Sequence, residues 1–230
     1  MNSFYKIISC ALLAITVSAS AQMETFVSSA GEINFSLADI EREDGPVGDN
    51  VLRFAPFFNL QVLYNADLKN VGWFTGLTVR NIGFIYEENQ TNEKWKARTY
   101  NLGIPLGLKL GDVKNGFFVY GGYEFEYAFH YKEKYFFNDK KTKFNAWNSN
   151  RVNNIQQAYF FGFNFPNGAN IKFKYYTTEF FNPDYNTSQA EASELNTRNL
   201  KVNIFYASLS FYLFEKPKEF FDPQDSNEIY

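Results

Sequence analysis

One pattern constrains the fold of this chain more than any other. Segments of about ten residues recur in which large apolar side chains alternate with small or polar ones. In Phe117–Tyr131 the odd-numbered positions carry Phe, Val, Tyr and one Gly, whereas the even-numbered positions include Glu124 and Glu126. Because successive side chains of a strand point to opposite faces, each segment predicts a strand with one apolar face. The chain is therefore expected to be all-β.

The number and spacing of these segments predict a closed barrel. About eight strands are expected, the number of the smallest common closed barrel. The segments are Gly31–Asp39, Val51–Tyr64, Gly72–Tyr86, Lys96–Leu110, Gly116–Tyr131, Asn153–Phe165, Ala169–Phe181 and Asn199–Phe214. Their connections alternate between short turns, such as PNG, and long hydrophilic stretches, such as EENQTNEKW. This is typical of an antiparallel up-and-down transmembrane β-barrel with short periplasmic turns and long external loops.

The N-terminal segment has the pattern of a secretory signal peptide. Lys6 precedes an apolar stretch from Ile7 to Val17, and Ala19-Ser20-Ala21 follows as a cleavage site. The predicted organisation is a signal peptide at 1–21, an outer-membrane barrel domain at 22–214 and a periplasmic C-terminal tail at 215–230. The single cysteine, Cys10, lies within the signal, so no disulfide is expected after cleavage. We predict export to the outer membrane.

Alternation alone allows the apolar faces to point inward, as in a lipocalin-like carrier, or outward toward lipid. Charges of both signs at mid-strand favour a polar lumen. The predicted lumen-facing network comprises Arg53, Arg80, Lys109, Glu124, Glu126, Lys172 and Lys174. Aromatic residues at the strand ends predict two girdles, with Tyr64, Trp73, Phe117, Phe165 and Phe211 near the short turns and Tyr86, Trp95, Tyr100, Tyr127 and Phe181 near the long loops. In the third strand the apolar phase changes near Asn81, which predicts a bulge there, with a misplaced strand as the alternative.

The stretch NLGIPLGLKLG, residues 101–111, places a proline within a strand. If its even-numbered leucines face lipid, then Gly103, Pro105 and Gly107 face the lumen. Small residues there would leave room for long neighbours such as Arg80, Glu124 or Glu126. Pro105 forfeits one hydrogen bond of the sheet, and we interpret it as a structural kink.

This same stretch carries a family resemblance. With Tyr100, the residues Ile104, Pro105, Leu106 and Lys109 form a Tyr-x-x-x-Ile-Pro-Leu-x-x-Lys motif. It resembles a stretch of the outer-membrane β-barrel domain family of Bacteroidota, the group that includes PorT-like proteins. The resemblance implies a signal peptide, an antiparallel barrel over nearly the whole mature chain and an outer-membrane location. It implies no agreed activity.

The sequence predicts no enzyme. His130 is the single histidine, and Ser208 and Ser210 are expected well toward the other end of the barrel, too far for a catalytic relay. The histidine and cysteine content predicts no metal site or other cofactor, and the net charge of −3 gives no support for nucleic-acid binding.

Three functions stay open: a structural or interaction protein acting through its external loops, a narrow pore for small solutes, and a secreted carrier. The partners expected are outer-membrane lipids, lipopolysaccharide attracted to the basic run KEKYFFNDKKTK, the barrel insertion machinery, and an unknown protein at the external loops.

Overall fold

The described chain forms one closed sheet. The computed structural model describes residues 23–42, 49–88, 93–138, 140–166, 168–185 and 200–212. Within these ranges eleven strands form one antiparallel sheet, and the first strand pairs with the last to close it. The predicted signal peptide at 1–21 and tail at 215–230 lie outside the described residues, as do parts of four predicted long loops. No helix in the described ranges is long and apolar enough to cross a membrane.

The strands are β1 (Glu24–Arg42), β2 (Asp49–Val51), β3 (Arg53–Ala55), β4 (Leu60–Asp67), β5 (Val71–Glu88), β6 (Glu93–Asp112), β7 (Phe117–Phe137), β8 (Lys140–Trp147), β9 (Ile155–Asn164), β10 (Asn170–Tyr176) and β11 (Leu200–Tyr212). Strands β2, β3 and β4 together fill one position in the wall, between β1 and β5. Strands β8 and β9 both pair with β7 and fill another. The described strands therefore make eight wall positions in up-and-down order, which confirms the predicted antiparallel barrel.

The apolar faces of the strands point outward. Along β6, Leu102 is 48% exposed and Leu108 is 63% exposed, whereas the odd-numbered Gly103, Pro105 and Lys109 are buried. Neighbouring strands continue this band. We call it the apolar belt and define it by the outward side chains Trp73, Leu77, Leu102, Ile104, Leu106, Leu108, Leu110, Val119, Phe125, Tyr159, Phe161 and Phe173.

Three layers of inward side chains fill the lumen. The layer nearest the short turns is aromatic and contains Phe74, Tyr120 and Phe160. The middle layer is charged. The layer nearest the long loops is apolar again and is built around Phe84 and Trp95, whose ring centroids lie 5.5 Å apart.

Glycines in β6 make room for this filling, as the sequence predicted. A Cβ atom on Gly103 would lie 2.7 Å from Glu124 Oε1, and one on Gly107 would lie 2.3 Å from the Phe74 ring. Pro105 also faces the lumen. The pairing of β5 with β6 omits Pro105 and its neighbour Ile104 while keeping the same register on both sides, so the strand continues past the proline.

The bulge predicted at Asn81 is wrong. β5 pairs with β6 in one register along its whole length, and its even-numbered side chains point inward throughout. Ile82 and Phe84 are apolar because the upper lumen is apolar, not because the strand changes phase. The irregularity lies in the neighbouring wall position, where residues 56–59 interrupt the strands and Asn59 Oδ1 accepts the Asn81 N–H at 2.8 Å.

A bulge occurs instead in β7. Its register with β6 shifts by one residue, and Phe129 is left out of the pairing. Below Phe129 the even-numbered side chains face the lumen, and above it the odd-numbered ones do, so Tyr131 is fully buried. Unbroken alternation would place the even-numbered His130 and Lys132 on the lumenal face with Glu124 and Glu126, but beyond the bulge they lie on the outer face.

Two further expectations about the long-loop end are corrected. The stretch KEKYFFNDKKTKFNAWNSNRV lies between the predicted strands Gly116–Tyr131 and Asn153–Phe165 and was therefore expected to be a long loop, but it continues β7 to Phe137 and returns as β8. We call the long-loop end the upper end. In the girdle predicted near the long loops, Tyr100 and Tyr127 face outward, but Tyr86, Trp95 and Phe181 are buried inside. Their rings fill the apolar upper lumen instead of meeting lipid.

We predict that Gly107→Ala destabilises the barrel while Gly121→Ala does not. The added methyl at residue 107 would overlap the Phe74 ring, and overpacking of this kind costs about 1–3 kcal/mol. At Gly121 the nearest neighbouring atom, Phe160 O, lies 3.4 Å from the new Cβ, an ordinary contact. Urea unfolding followed by tryptophan fluorescence measures both. Equal stability of the two variants would contradict this account of Gly107.

Candidate functional site

Five of the predicted lumenal charges meet in the middle layer. Arg80 Nε lies 3.3 Å from Glu124 Oε1, and Lys174 Nζ lies 2.7 Å from Glu124 Oε2. Lys174 also contacts Glu126, and Lys172 lies on the same wall position one side-chain layer away. All five are nearly inaccessible to solvent.

A sixth charge, which the sequence analysis missed, completes this cluster. Glu32 on β1 lies 3.1 Å from Arg80 Nη1 and is also paired with Lys172. Three carboxylates (Glu32, Glu124 and Glu126) therefore face three cations, so that the cluster is neutral. We call these six side chains the lumenal ion cluster. The sequence carries a signal for Glu32, since this residue alternates with the apolar Ile33 and Phe35 in the predicted strand Gly31–Asp39.

Neutral side chains add hydrogen bonds to Glu126 and Arg80 of the cluster. The Tyr176 hydroxyl donates to Glu126 Oε1 at 2.8 Å, and Asn101 Nδ2 donates to Glu126 Oε2 at 2.7 Å. Arg80 Nη2 donates to Gln61 Oε1 at 3.0 Å. Buried charges are tolerated when they are paired and hydrogen-bonded in this way. The ion pairs and hydrogen bonds form a network that spans the barrel interior.

The other two predicted charges lie elsewhere. Lys109 is near the short-turn end, where its Nζ lies 2.8 Å from Asp67 Oδ1. Arg53 does not join the lumenal ion cluster: its guanidinium donates to the Asn81 backbone oxygen at 3.2 Å, in the interrupted part of the wall. It borders a groove on the outer surface.

The groups considered for catalysis are on opposite sides of the wall. His130 stacks on the outer face between Tyr100 and Trp147, with ring centroids 5.8 and 4.3 Å away. Ser208 and Ser210 are buried in the lumen. The wall separates the histidine from both hydroxyls, so they form no relay. Among the described residues no group of three or more His, Cys, Asp or Glu side chains is placed to hold a metal ion.

The bulge at Phe129 assembles a cationic surface that parity alone does not predict. Outward side chains on β6, β7 and the unexpected strand β8 lie in register above the Tyr100–His130–Trp147 row. We call this surface the cationic face; its members are Lys96, Arg98, Lys132, Lys134, Lys141 and Lys143. Among the residues that the structure describes, none of these six forms an ion pair, whereas Lys94 at the edge pairs with Glu87.

An outer groove adjoins the cationic face. It has a volume of about 360 Å³ and lies between the interrupted segment and strands β5 to β7. Phe54 and Phe57 form one exposed wall, and Arg98 and Lys132 line the other, both within 5.5 Å of the Tyr100 ring. The groove thus combines an aromatic wall with a cationic one.

No family model and no curated protein matches the chain. Among solved structures, the chain is similar to Ail, the attachment invasion locus protein of Yersinia pestis, solved in complex with the heparin analogue sucrose octasulfate: identity is 13%, over 81% of this chain and 97% of that chain, with a TM-score of 0.37. It is also similar to Neisserial surface protein A, with 10% identity over 81% of this chain and 98% of that chain and a TM-score of 0.38. Both likenesses are too distant to say what this chain does.

We predict that Glu124→Gln strongly destabilises the barrel. The substitution leaves Arg80 and Lys174 buried with one carboxylate partner fewer each, and breaking a buried pair costs about 3 kcal/mol or more. Glu87→Gln is the matched control, because its pair with Lys94 is partly exposed and contributes under about 1 kcal/mol. Urea midpoints of both variants measure the difference, and similar midpoints would count against the lumenal ion cluster as a stabilising element.

Proposed function

We propose that the protein is an integral outer-membrane barrel of a Gram-negative bacterium. It acts through the outer surface of its wall and through the end that carries the long external loops. The observation that carries this proposal is the apolar belt. On β6 it runs from Leu110 to Leu102, and the outward Tyr100 ring marks its upper edge, so the stretch considered is Leu110 to Tyr100. With a rise of about 3.4 Å per residue and a tilt of about 40°, this stretch is about 26 Å tall, close to the apolar band of about 25 Å on barrels that span a membrane.

The filled lumen favours this role over that of a pore. An aromatic layer, the lumenal ion cluster and an apolar layer follow one another along the axis. Barrels of eight strands are generally filled by their own side chains, and this one follows that rule. The outward orientation of the leucines likewise disfavours a carrier, which needs its apolar faces around a ligand.

The finer assignments belong to the same proposal. We infer membership of the outer-membrane β-barrel domain family of Bacteroidota, in the PorT-like group, from the motif residues Ile104, Pro105, Leu106 and Lys109. Ile104 and Leu106 lie in the apolar belt, whereas Pro105 and Lys109 face the lumen. The signal peptide, the periplasmic position of the short turns, insertion by the barrel machinery, and a non-enzymatic interaction role at the external end complete the assignment.

Fractionation and gel mobility test the proposal. We expect the chain, expressed with its N-terminal segment in a Gram-negative host, to be recovered in the outer membrane. We also expect its band to shift between unboiled and boiled samples, because closed barrels resist detergent until heated. Soluble protein without a heat shift would overturn the proposal and favour the carrier.

We also predict that Leu106→Arg impairs membrane assembly. An arginine at the middle of the apolar belt would face lipid and cost about 2–4 kcal/mol, whereas Leu106→Phe keeps an apolar side chain there. The fraction of protein with a heat-shifted band in the outer membrane measures the effect. A soluble barrel would instead tolerate the arginine, so normal assembly of Leu106→Arg would contradict the lipid-facing position of this strand.

A further inference from the structure

The cationic face opposes like charges directly across neighbouring strands. Lys96 on β6 pairs with Lys134 on β7, and Lys134 pairs with Lys143 on β8. Like charges at paired positions destabilise a sheet. Burial and the neighbouring charges of Lys141 and Arg98 lower the pKa of the Lys134 ammonium, which shows the same unfavourable setting. Repulsion between these paired cations would be relieved if the row bound an anionic ligand.

We propose that the cationic face binds the phosphate groups of lipopolysaccharide in the surrounding outer leaflet. This inference rests on the proposed membrane location. It assigns to the strands β6, β7 and β8 a lipid-binding role that neither the filled lumen nor the fold itself requires.

The height of the cationic face fits lipid phosphates. The Tyr100–His130–Trp147 row lies at the upper edge of the apolar belt, where amphipathic rings meet the membrane interface. Arg98 and Lys132 lie two residues above this row, and Lys96 and Lys134 four residues above it. With the rise and tilt used above, these tiers lie about 5 and 10 Å higher, which spans the head-group region of a bilayer.

The outer groove beside the cationic face is large enough to bind the lipid head group. Its volume of about 360 Å³ falls within the range of about 300–1,000 Å³ of pockets that hold small ligands. Phe57 is 72% exposed on one wall, and Arg98 and Lys132 supply cations on the other. A phosphorylated sugar with acyl chains below it has the same order of apolar and anionic parts. Arginine and lysine together suit phosphate, the first by its planar fork and the second as a point charge.

The arrangement favours lipopolysaccharide over other anions. Its lipid anchor carries more than one phosphate on a sugar backbone, which matches two tiers of cations. A glycerophospholipid presents a single phosphate. A soluble polyanion would gain nothing from a groove that opens beside the apolar belt, and the net charge of −3 gives the chain as a whole no attraction for one.

Titration of the purified barrel with defined lipids tests the proposal. Full-length protein extracted from the outer membrane is delipidated in neutral detergent, checked for its heat shift, and titrated with bisphosphorylated lipid A, dephosphorylated lipid A, phosphatidylglycerol or inorganic phosphate. Bound lipid is measured by native mass spectrometry. We expect bisphosphorylated lipid A to bind at least about tenfold more tightly than each of the other three.

The variant pair isolates the cationic face. Lys96→Gln with Lys134→Gln is expected to weaken lipid A binding by about tenfold or more while raising the thermal midpoint of the lipid-free barrel, because like charges are removed. Lys69→Gln with Lys114→Gln removes the same charge from exposed residues at the short turns and should change neither quantity. A purely structural role for Lys96 and Lys134 would lower the thermal midpoint instead.

Each outcome decides between the two proposals. A chain that fails to reach the outer membrane and lacks a heat shift overturns both the membrane location and this inference. A heat-shifted barrel overturns only the inference if it binds phosphatidylglycerol, dephosphorylated lipid A or inorganic phosphate as tightly as bisphosphorylated lipid A. Undiminished lipid A binding by the Lys96 and Lys134 variant, or an equal loss in the short-turn control, overturns it as well.

Discussion

The barrel depends on charges that neutralise one another inside its wall. Glu32, Glu124 and Glu126 face Arg80, Lys172 and Lys174 across the lumen, and these side chains come from β1, β5, β7 and β10. A single unpaired ion at this depth would cost several kcal/mol, so the strands must hold a register that brings all six together. The cluster therefore ties distant wall positions to one another, whereas backbone pairing ties each strand only to its neighbours. The pairing of β1 with β11 that closes the barrel and the ion pairs of the lumenal cluster are therefore both satisfied by one strand register.

The side chains that fill the lumen change from aromatic to charged to apolar along the barrel axis, and the inward residues of β5 show this order. Phe74 lies in the aromatic layer, Thr78 and Arg80 in the charged layer, and Ile82 and Phe84 in the apolar layer. All of them share one parity. A simple rule that equates polar with inward therefore fails in the upper half, where buried rings stack on one another as in the core of a soluble protein. These rings fill the lumen near its long-loop end.

Much of this architecture could be predicted from alternation because the period of a strand is two residues in any solvent. The eight wall positions, the outward leucines of β6 and the small residues beside Glu124 follow from it. The bulge at Phe129 could not be predicted, since every odd-numbered residue from Tyr123 to Tyr131 is aromatic and the apolar alternation shows no break at the extra residue. A prediction without this bulge assigns His130 and Lys132 to the lumenal face, whereas the structure has both on the outer face. Arg53 lies outside the lumenal ion cluster for a related reason, because the wall is interrupted beside it and its guanidinium donates to the Asn81 backbone oxygen there.

That reversal determines what the exterior of the barrel presents. With uninterrupted parity, Lys132 and Lys134 would project into an upper lumen packed with aromatic rings, where their charges would have no counterpart. One extra residue turns both lysines outward, in register with Arg98 and Lys96 on the neighbouring strand. The same change brings Tyr131 and Glu133 inward, where Glu133 pairs with Arg151 at 2.9 Å. A single bulge thus completes the apolar upper lumen and creates the cationic face together, so a substitution that shifts the β7 register would disrupt both.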